Sequence, residues 1–189
     1  SVNLKYFNDI LYVVSDTKSG NFPITKDAFQ KNIKGDYDGT IMQFSLEGDL
    51  LYSTFIGSSG YDVSDDIVID ENGNYWVTGR CYGSNFPTTN DAVQKNKKNG
   101  VDSFLSKFDN DNNLIYSTYI GGNSDDFAMD LALNSFSKTI AVFGYTRSDD
   151  FPIIGKAIKN KHSGSFDSFL CYFWDGYWCM VFWFVIITT

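Results

Sequence analysis

The chain has 189 residues, 17% of them aromatic with 12 Tyr and 17 Phe, and a formal net charge of −8. A nucleic-acid partner needs a basic stripe to replace phosphate counterions; the basic groupings, Lys95, Lys97 and Lys98 and then Lys156, Lys159 and Lys161, read as solvated loop lysines, so DNA and RNA are excluded. Cys81, Cys171 and Cys179 form no C-x-x-C pair and His162 is the single histidine, which excludes a Cys/His zinc site and gives no disulfide framework.

In chain order, one set of blocks recurs. Asn21-Phe22-Pro23 returns as Asn85-Phe86-Pro87 and as Asp150-Phe151-Pro152, at steps of 64 and 65 residues. Asp27-Ala28-Phe29-Gln30 returns as Asp91-Ala92-Val93-Gln94, and more weakly at Lys156 to Lys159. The block from Asp38 to Phe44 returns from Asp102 to Phe108 and from Asp167 to Phe173. Leu51 to Gly57 returns as Ile115-Tyr116-Ser117-Thr118-Tyr119-Ile120-Gly121. Four blocks on one period define a repeat.

Each period holds four strand-like runs. In the middle one these are Ile67 to Asp70, Asn74 to Gly79, Ser103 to Phe108 and Leu114 to Ile120. The first two are joined by a turn containing Asn72-Gly73, the last two by Asp109 to Asn112. Two hairpins in series predict a four-stranded antiparallel meander. A lone sheet of this size cannot bury both faces, whereas repeated sheets stacked radially can. The expected fold is therefore all-β, a partial β-propeller of about three four-stranded blades. The boundaries fall at residues 1–57, 58–121 and 122–189, the first blade incomplete at its N-terminal end. In the long connection after the second strand, Pro87 makes Phe86 extended, Phe86 is expected to plug the blade, and Asn90 to Lys95 is predicted to form one helical turn capped by Thr89 or Asn90.

These residues resemble the bacterial and archaeal SBBP β-propeller repeats. Tyr116-Ser117-Thr118-Tyr119-Ile120-Gly121-Gly122 with Asp125-Asp126 carries the likeness, as do Ile67 to Asp70, Gly73 to Gly79, Asn85-Phe86-Pro87 and Asp102 to Lys107. It covers about residues 1–173. The resemblance implies a propeller scaffold from a secreted or cell-surface protein, further blades of the parent chain as partners, and no common catalytic residue. Asn134 to Lys138 departs from the pattern at the first turn of the third repeat. From about residue 174 the match ends in an apolar run through Ile187 holding Trp174, Trp178 and Trp183. A frame change accounts best for this tail, and a strand in the fourth position is its expected structure; it is too short for a membrane-spanning helix, so no membrane span is expected. No signal peptide is visible, and an export signal would lie upstream.

Alternating strand direction puts the second-to-third connections and the links between blades on one face. Candidate ligand-binding residues there are Tyr61, Asp62, Tyr82, Asn85, Asp125 and Asp126, with an extracellular carbohydrate or protein as ligand. The competing reading makes Asp62 and Asp126 caps for backbone donors at the blade junctions. Asp109, Asp111 and Asn113 have the spacing of half a calcium loop, but Leu114 and Ile120 stand where its Gly and Glu would be, so an Asx turn competes with calcium and no other cofactor is implied. Asp70 to Asn74 is a similar turn. Asp65-Asp66 and Asp149-Asp150 are read as solvated, no G-x-S-x-G elbow occurs, and a non-catalytic binding module is expected. The alternatives are a purely structural spacer and a propeller-based hydrolase.

Overall fold

The computed structural model describes residues 2–152 and 165–174, and the backbone of 182–186. The strands are β1 (Val2–Phe7), β2 (Ile10–Thr17), β3 (Asp38–Ser45), β4 (Leu50–Ile56), β5 (Asp62–Ile69), β6 (Tyr75–Cys81), β7 (Asp102–Phe108), β8 (Leu114–Ile120), β9 (Asp126–Asn134), β10 (Thr139–Thr146), β11 (Asp167–Trp174) and β12 (Phe182–Ile186). They form three separate antiparallel meanders: β1 to β4, β5 to β8, and β9 to β11 with the short β12 added to β11. The protein is all-β, with no helix among the described residues and therefore none long and apolar enough to cross a membrane. His162 and the lysines at 156, 159 and 161 lie outside the described residues, as does most of the tail; of the tail, 182–186 form a strand.

The turns follow local chemistry. Asn8 and Asp9, both at positive φ (47° and 61°), join β1 to β2 with the twist that suits a tight hairpin. Gly73, at φ 82°, closes the β5–β6 turn, where its amide donates to the Asp70 carbonyl.

The three sheets pack on one another through their faces. β5 lies against β1, β2 and β3, and β9 against β5, β6 and β7. One cluster joins Tyr12, Val14, Ile41 and Ile56 of the first sheet to Ile67, Tyr75, Val77, Phe104, Phe108 and Tyr119 of the second. A second joins Trp76, Leu105 and Ile120 to Ala128, Leu131, Ile140, Val142, Phe169 and Cys171 of the third. Alternate residues of β6 therefore serve opposite clusters, Tyr75 and Val77 one and Trp76 the other, because successive side chains leave a strand on opposite faces. Both faces of the middle sheet are covered, and nearly all of its strand residues are buried, polar ones included. On the first sheet, Val2, Leu4 and Tyr6 line up on the uncovered face and are 71%, 58% and 59% exposed.

The long connections protect the outer edges. The Thr89 amide donates to the Ser117 carbonyl (3.0 Å), the Ser117 amide to Thr89 Oγ1 (3.0 Å) and the Tyr119 amide to the Gln94 carbonyl (3.0 Å), so this segment runs along β8. Thr25 and Gln30 do the same for Ser53 and Phe55 of β4. This corrects the helical turn predicted at 90–95. Thr89 does not cap a helix, and a single turn from Thr89 to Ala92 (3.2 Å) lets the chain pair with β8 at both ends. An uncovered strand edge would leave its amides and carbonyls open to other chains. Phe86 is buried, its ring 4.3 Å from that of Phe104, as expected of a plug.

β5 begins five residues earlier than its apolar run suggests, and Asp65-Asp66, expected to be solvated, are buried. The register slips between Ser64 and Asp66, leaving Asp65 as the extra residue of a bulge. Asp65 takes two hydrogen bonds from Arg80, both 2.9 Å. Asp66 accepts from the Leu131 amide (2.8 Å) and lies 3.6 Å from Lys5 Nζ, so one carboxylate touches all three sheets. Burial, then a hydrogen bond with Asp130, pushes its pKa up to about 6. Asp149 and Asp150 are exposed, as read from the sequence.

Opposite the Asp65 bulge, and opposite the matching register slip at Met129 in β9, the partner strand carries a glycine. A Cβ on Gly79 would overlap the Val63 carbonyl, and one on Gly144 the Phe127 carbonyl. Gly79→Ala and Gly144→Ala are each expected to cost about 1–3 kcal/mol by overpacking, read as a lower urea midpoint. Phe86→Ala is expected to cost roughly 3–5 kcal/mol in the same assay.

Candidate binding face

The links between sheets and the connections after each second strand meet on one face. The Ser59 amide, between β4 and β5, donates to Asn85 Oδ1 (2.8 Å), and the Val101 amide donates to Asp125 Oδ1 (3.2 Å). Each junction is held by a buried carboxylate at a strand start. Asp62 Oδ2 accepts from the Ser58 amide (2.5 Å) and hydroxyl (2.6 Å), and Oδ1 from the Tyr82 amide (3.2 Å). Asp126 Oδ2 accepts from the Gly122 amide (2.7 Å) and the Ser148 hydroxyl (2.8 Å). Both are fully buried, so they shape the face from beneath. Asp38 similarly takes the Gln30 side chain and the Lys34 and Gly35 amides.

Tyr61 and Tyr82 are on the surface, 38% and 44% exposed. Their rings pack edge-to-face at 5.3 Å, and Tyr37 joins them at 4.8 Å from Tyr61. Lys18 Nζ sits 6.0 Å from the Tyr37 ring. Partial burial, with the Asp16 carboxylate beside it, raises the Tyr61 phenol pKa. Asn85 borders this group through its bond to Ser59, whereas Asp125 lies at the next junction, 3.6 Å from Arg147.

Tyr37 was missed from sequence, although the repeat held the signal. The Asp62 amide donates to the Tyr37 carbonyl (2.9 Å) as the Asp126 amide does to that of Val101 (2.7 Å), and the Tyr82 amide donates to the Tyr61 carbonyl (3.2 Å) as the Arg147 amide does to that of Asp125 (2.9 Å). Tyr37, Tyr61 and Tyr82 therefore correspond to Val101, Asp125 and Arg147. The backbone role is kept while the side chain changes: Val101 is buried where Tyr37 is half-buried, and Asp125 and Arg147 replace the two outer tyrosines, so the backbone bonds do not require tyrosine there.

Asp109, Asp111 and Asn113 lie at the β7–β8 turn. Asp109 Oδ1 accepts from the Asp111 amide (3.0 Å) and the Asn113 amide (2.8 Å), and Asn113 Nδ2 donates to Oδ2 (3.0 Å). Burial works upward on Asp109, but bonds from Asn113 and Asp111 outweigh it and leave its pKa below the ordinary value. Asp70 receives the Asn72 and Asn74 amides in the same way (both 2.9 Å). These are Asx turns whose carboxylates are engaged by the turn's own donors. Among the described residues no three His, Cys, Asp or Glu side chains group as metal ligands. Cys81 is buried against Gly83 and Ser58, and burial, reinforced by Asp62, drives its thiol pKa far up, away from nucleophilic use.

Neither the protein-family models nor the curated proteins contain a match to this chain.

Asp109→Ala is expected to lower the thermal midpoint by about 2–4 °C, the shift that accompanies roughly 1 kcal/mol in a chain of this size. Millimolar calcium is expected to leave the wild-type midpoint unchanged. Scanning fluorimetry reads both.

Proposed function

We propose that the three sheets are consecutive blades of a β-propeller of the SBBP repeat type, belonging to a secreted or cell-surface protein, and that the chain is a non-catalytic binding or adhesion module for an extracellular carbohydrate or protein. The repeat supports the blade reading, as does the packing of each sheet on the preceding one. Blades before and after these three would cover the faces left open, including the one that bears Leu4 and Tyr6.

The observation that carries the binding reading is the Tyr37–Tyr61–Tyr82 group. Tyr61 and Tyr82 are exposed and Tyr37 is half-buried; the group is aromatic and polar-tipped, it lies on the face where the long loops gather, and the same backbone bonds form at the next junction without tyrosine. Such rings offer apolar faces to sugar C–H groups or to protein side chains, with phenols to orient the ligand. Display suits the remaining chemistry better than catalysis does, since Asp62 and Asp65 are committed to structural bonds and the Cys81 thiol is held protonated.

Glycan-array binding and pull-downs with the full chain test this reading. Wild type is expected to retain a ligand that Tyr61→Ala combined with Tyr82→Ala loses by at least about tenfold, near 1.4 kcal/mol, with the thermal midpoint within a few degrees. Retention by the double variant would remove the tyrosines from the site. Wild type that binds nothing on either panel would leave the chain a spacer.

A further inference from the structure

Asp102 and Asp126 head β7 and β9, on either side of the junction between the second and third sheets, and both are fully buried. They converge on the gap left by Gly121, where a methyl group would sit 2.8 Å from Asp102 Oδ1 and 2.9 Å from Asp126 Oδ2. Asp102 Oδ2 is occupied by Gln94 Nε2 (2.7 Å) and the Lys98 amide (3.0 Å), but Asp102 Oδ1 is buried without a donor. Asp126 Oδ1 also lacks a donor in hydrogen-bonding geometry.

The matching junction between the first and second sheets provides an internal comparison. There a methyl group on Gly57 would press on the Asp38 carboxylate, and the Asp62 charge acts on Asp38. All four of their oxygens have partners: Gly35, Gln30 and Lys34 for Asp38, and Tyr82 and Ser58 for Asp62. The same carboxylate pair is thus fully satisfied at one junction and left with bare buried oxygens at the other.

A bare carboxylate oxygen buried near another carboxylate is costly. A proton remedies both faults, since it removes one negative charge and supplies the missing donor. We propose that Asp102 and Asp126 take up one proton between them in mildly acidic solution, making the junction of the second and third sheets an acid-tightened clasp. The proton comes from solvent and is released to it.

The charged groups around the pair do not neutralise it. Lys97 and Lys98 on the β6–β7 connection lower the Asp102 pKa, yet burial outweighs them and brings it to about 6. Arg147 is engaged with Asp125, and Lys98 Nζ with Asp150, both at the surface. Asp167, at the head of β11, adds a further acid to the third sheet. Burial also raises Asp126 to about 6, opposed by Thr146, Gly122 and Ser148 and aided by Asp102. The ordinary value is 3.8 for both, so between that value and about 6 the folded chain binds protons that the unfolded chain does not. Stability therefore rises as pH falls through 6 and stops rising below the ordinary carboxylate range.

Side-chain carboxyl carbon NMR on the full chain, titrated from pH 8 to pH 4, tests the clasp. Asp102 and Asp126 are assigned through their own backbone correlations, so no variant has to fold. The expected result is a coupled titration with its upper midpoint at or above about 6. In parallel, the wild-type urea midpoint is expected to rise from pH 7.5 to 5.5. Asp102→Asn is expected to reduce that rise, and Asp66→Asn to remove a separate part of it while leaving the Asp102 titration in place. Independent titration of both carboxyls near the ordinary aspartate value would overturn the proposal.

Discussion

Everything in this structure depends on sheets covering one another. A four-stranded meander has two faces, and half of the side chains of each strand point to each. The middle sheet is stable because Tyr75, Val77, Phe104 and Phe108 meet the first sheet while Trp76, Leu105 and Ile120 meet the third. Burying a large side chain of this kind stabilises by about 1.5–3 kcal/mol, and no single sheet could collect that gain on both sides. The same constraint places the first strand of each sheet against the preceding one and forces the links and long connections to gather at one end.

The polar chemistry follows from that packing. Close approach of sheets buries backbone amides at each link, and every such amide needs an acceptor. A carboxylate at the head of a strand answers several at once, which is why Asp38, Asp62, Asp102 and Asp126 recur at equivalent places. Outer edges are treated differently: Thr25 and Gln30, and again Thr89 and Gln94, lend backbone and hydroxyl groups to the fourth strand, so each connection also closes the edge beside it.

Repetition within one chain separates what holds the fold from what is free to vary. Positions that hold a junction keep their residue type; positions that only expose a side chain do not. Tyr37, Tyr61 and Tyr82 at one junction face Val101, Asp125 and Arg147 at the next with the backbone bonds unchanged. The outer side chains at these positions thus change from one junction to the next while the backbone bonds stay.

The sequence alone determined the repeat, the four strands per unit, the hairpin turns and the gathering of loops at one face, because turn residues and the period-two apolar pattern are local signals. Phe86 as a plug was legible for the same reason. The start of β5, the burial of Asp65 and Asp66, the pairing of Thr89 and Gln94 with β8 on either side of a single turn and the membership of Tyr37 were decided only by tertiary structure. A carboxylate has the same letter whether it meets water or an arginine, and a threonine the same letter whether it caps a helix or lends its hydroxyl to a strand edge. Which of these applies depends on partners some 15 to 65 residues away, brought close by the packing of one sheet on another.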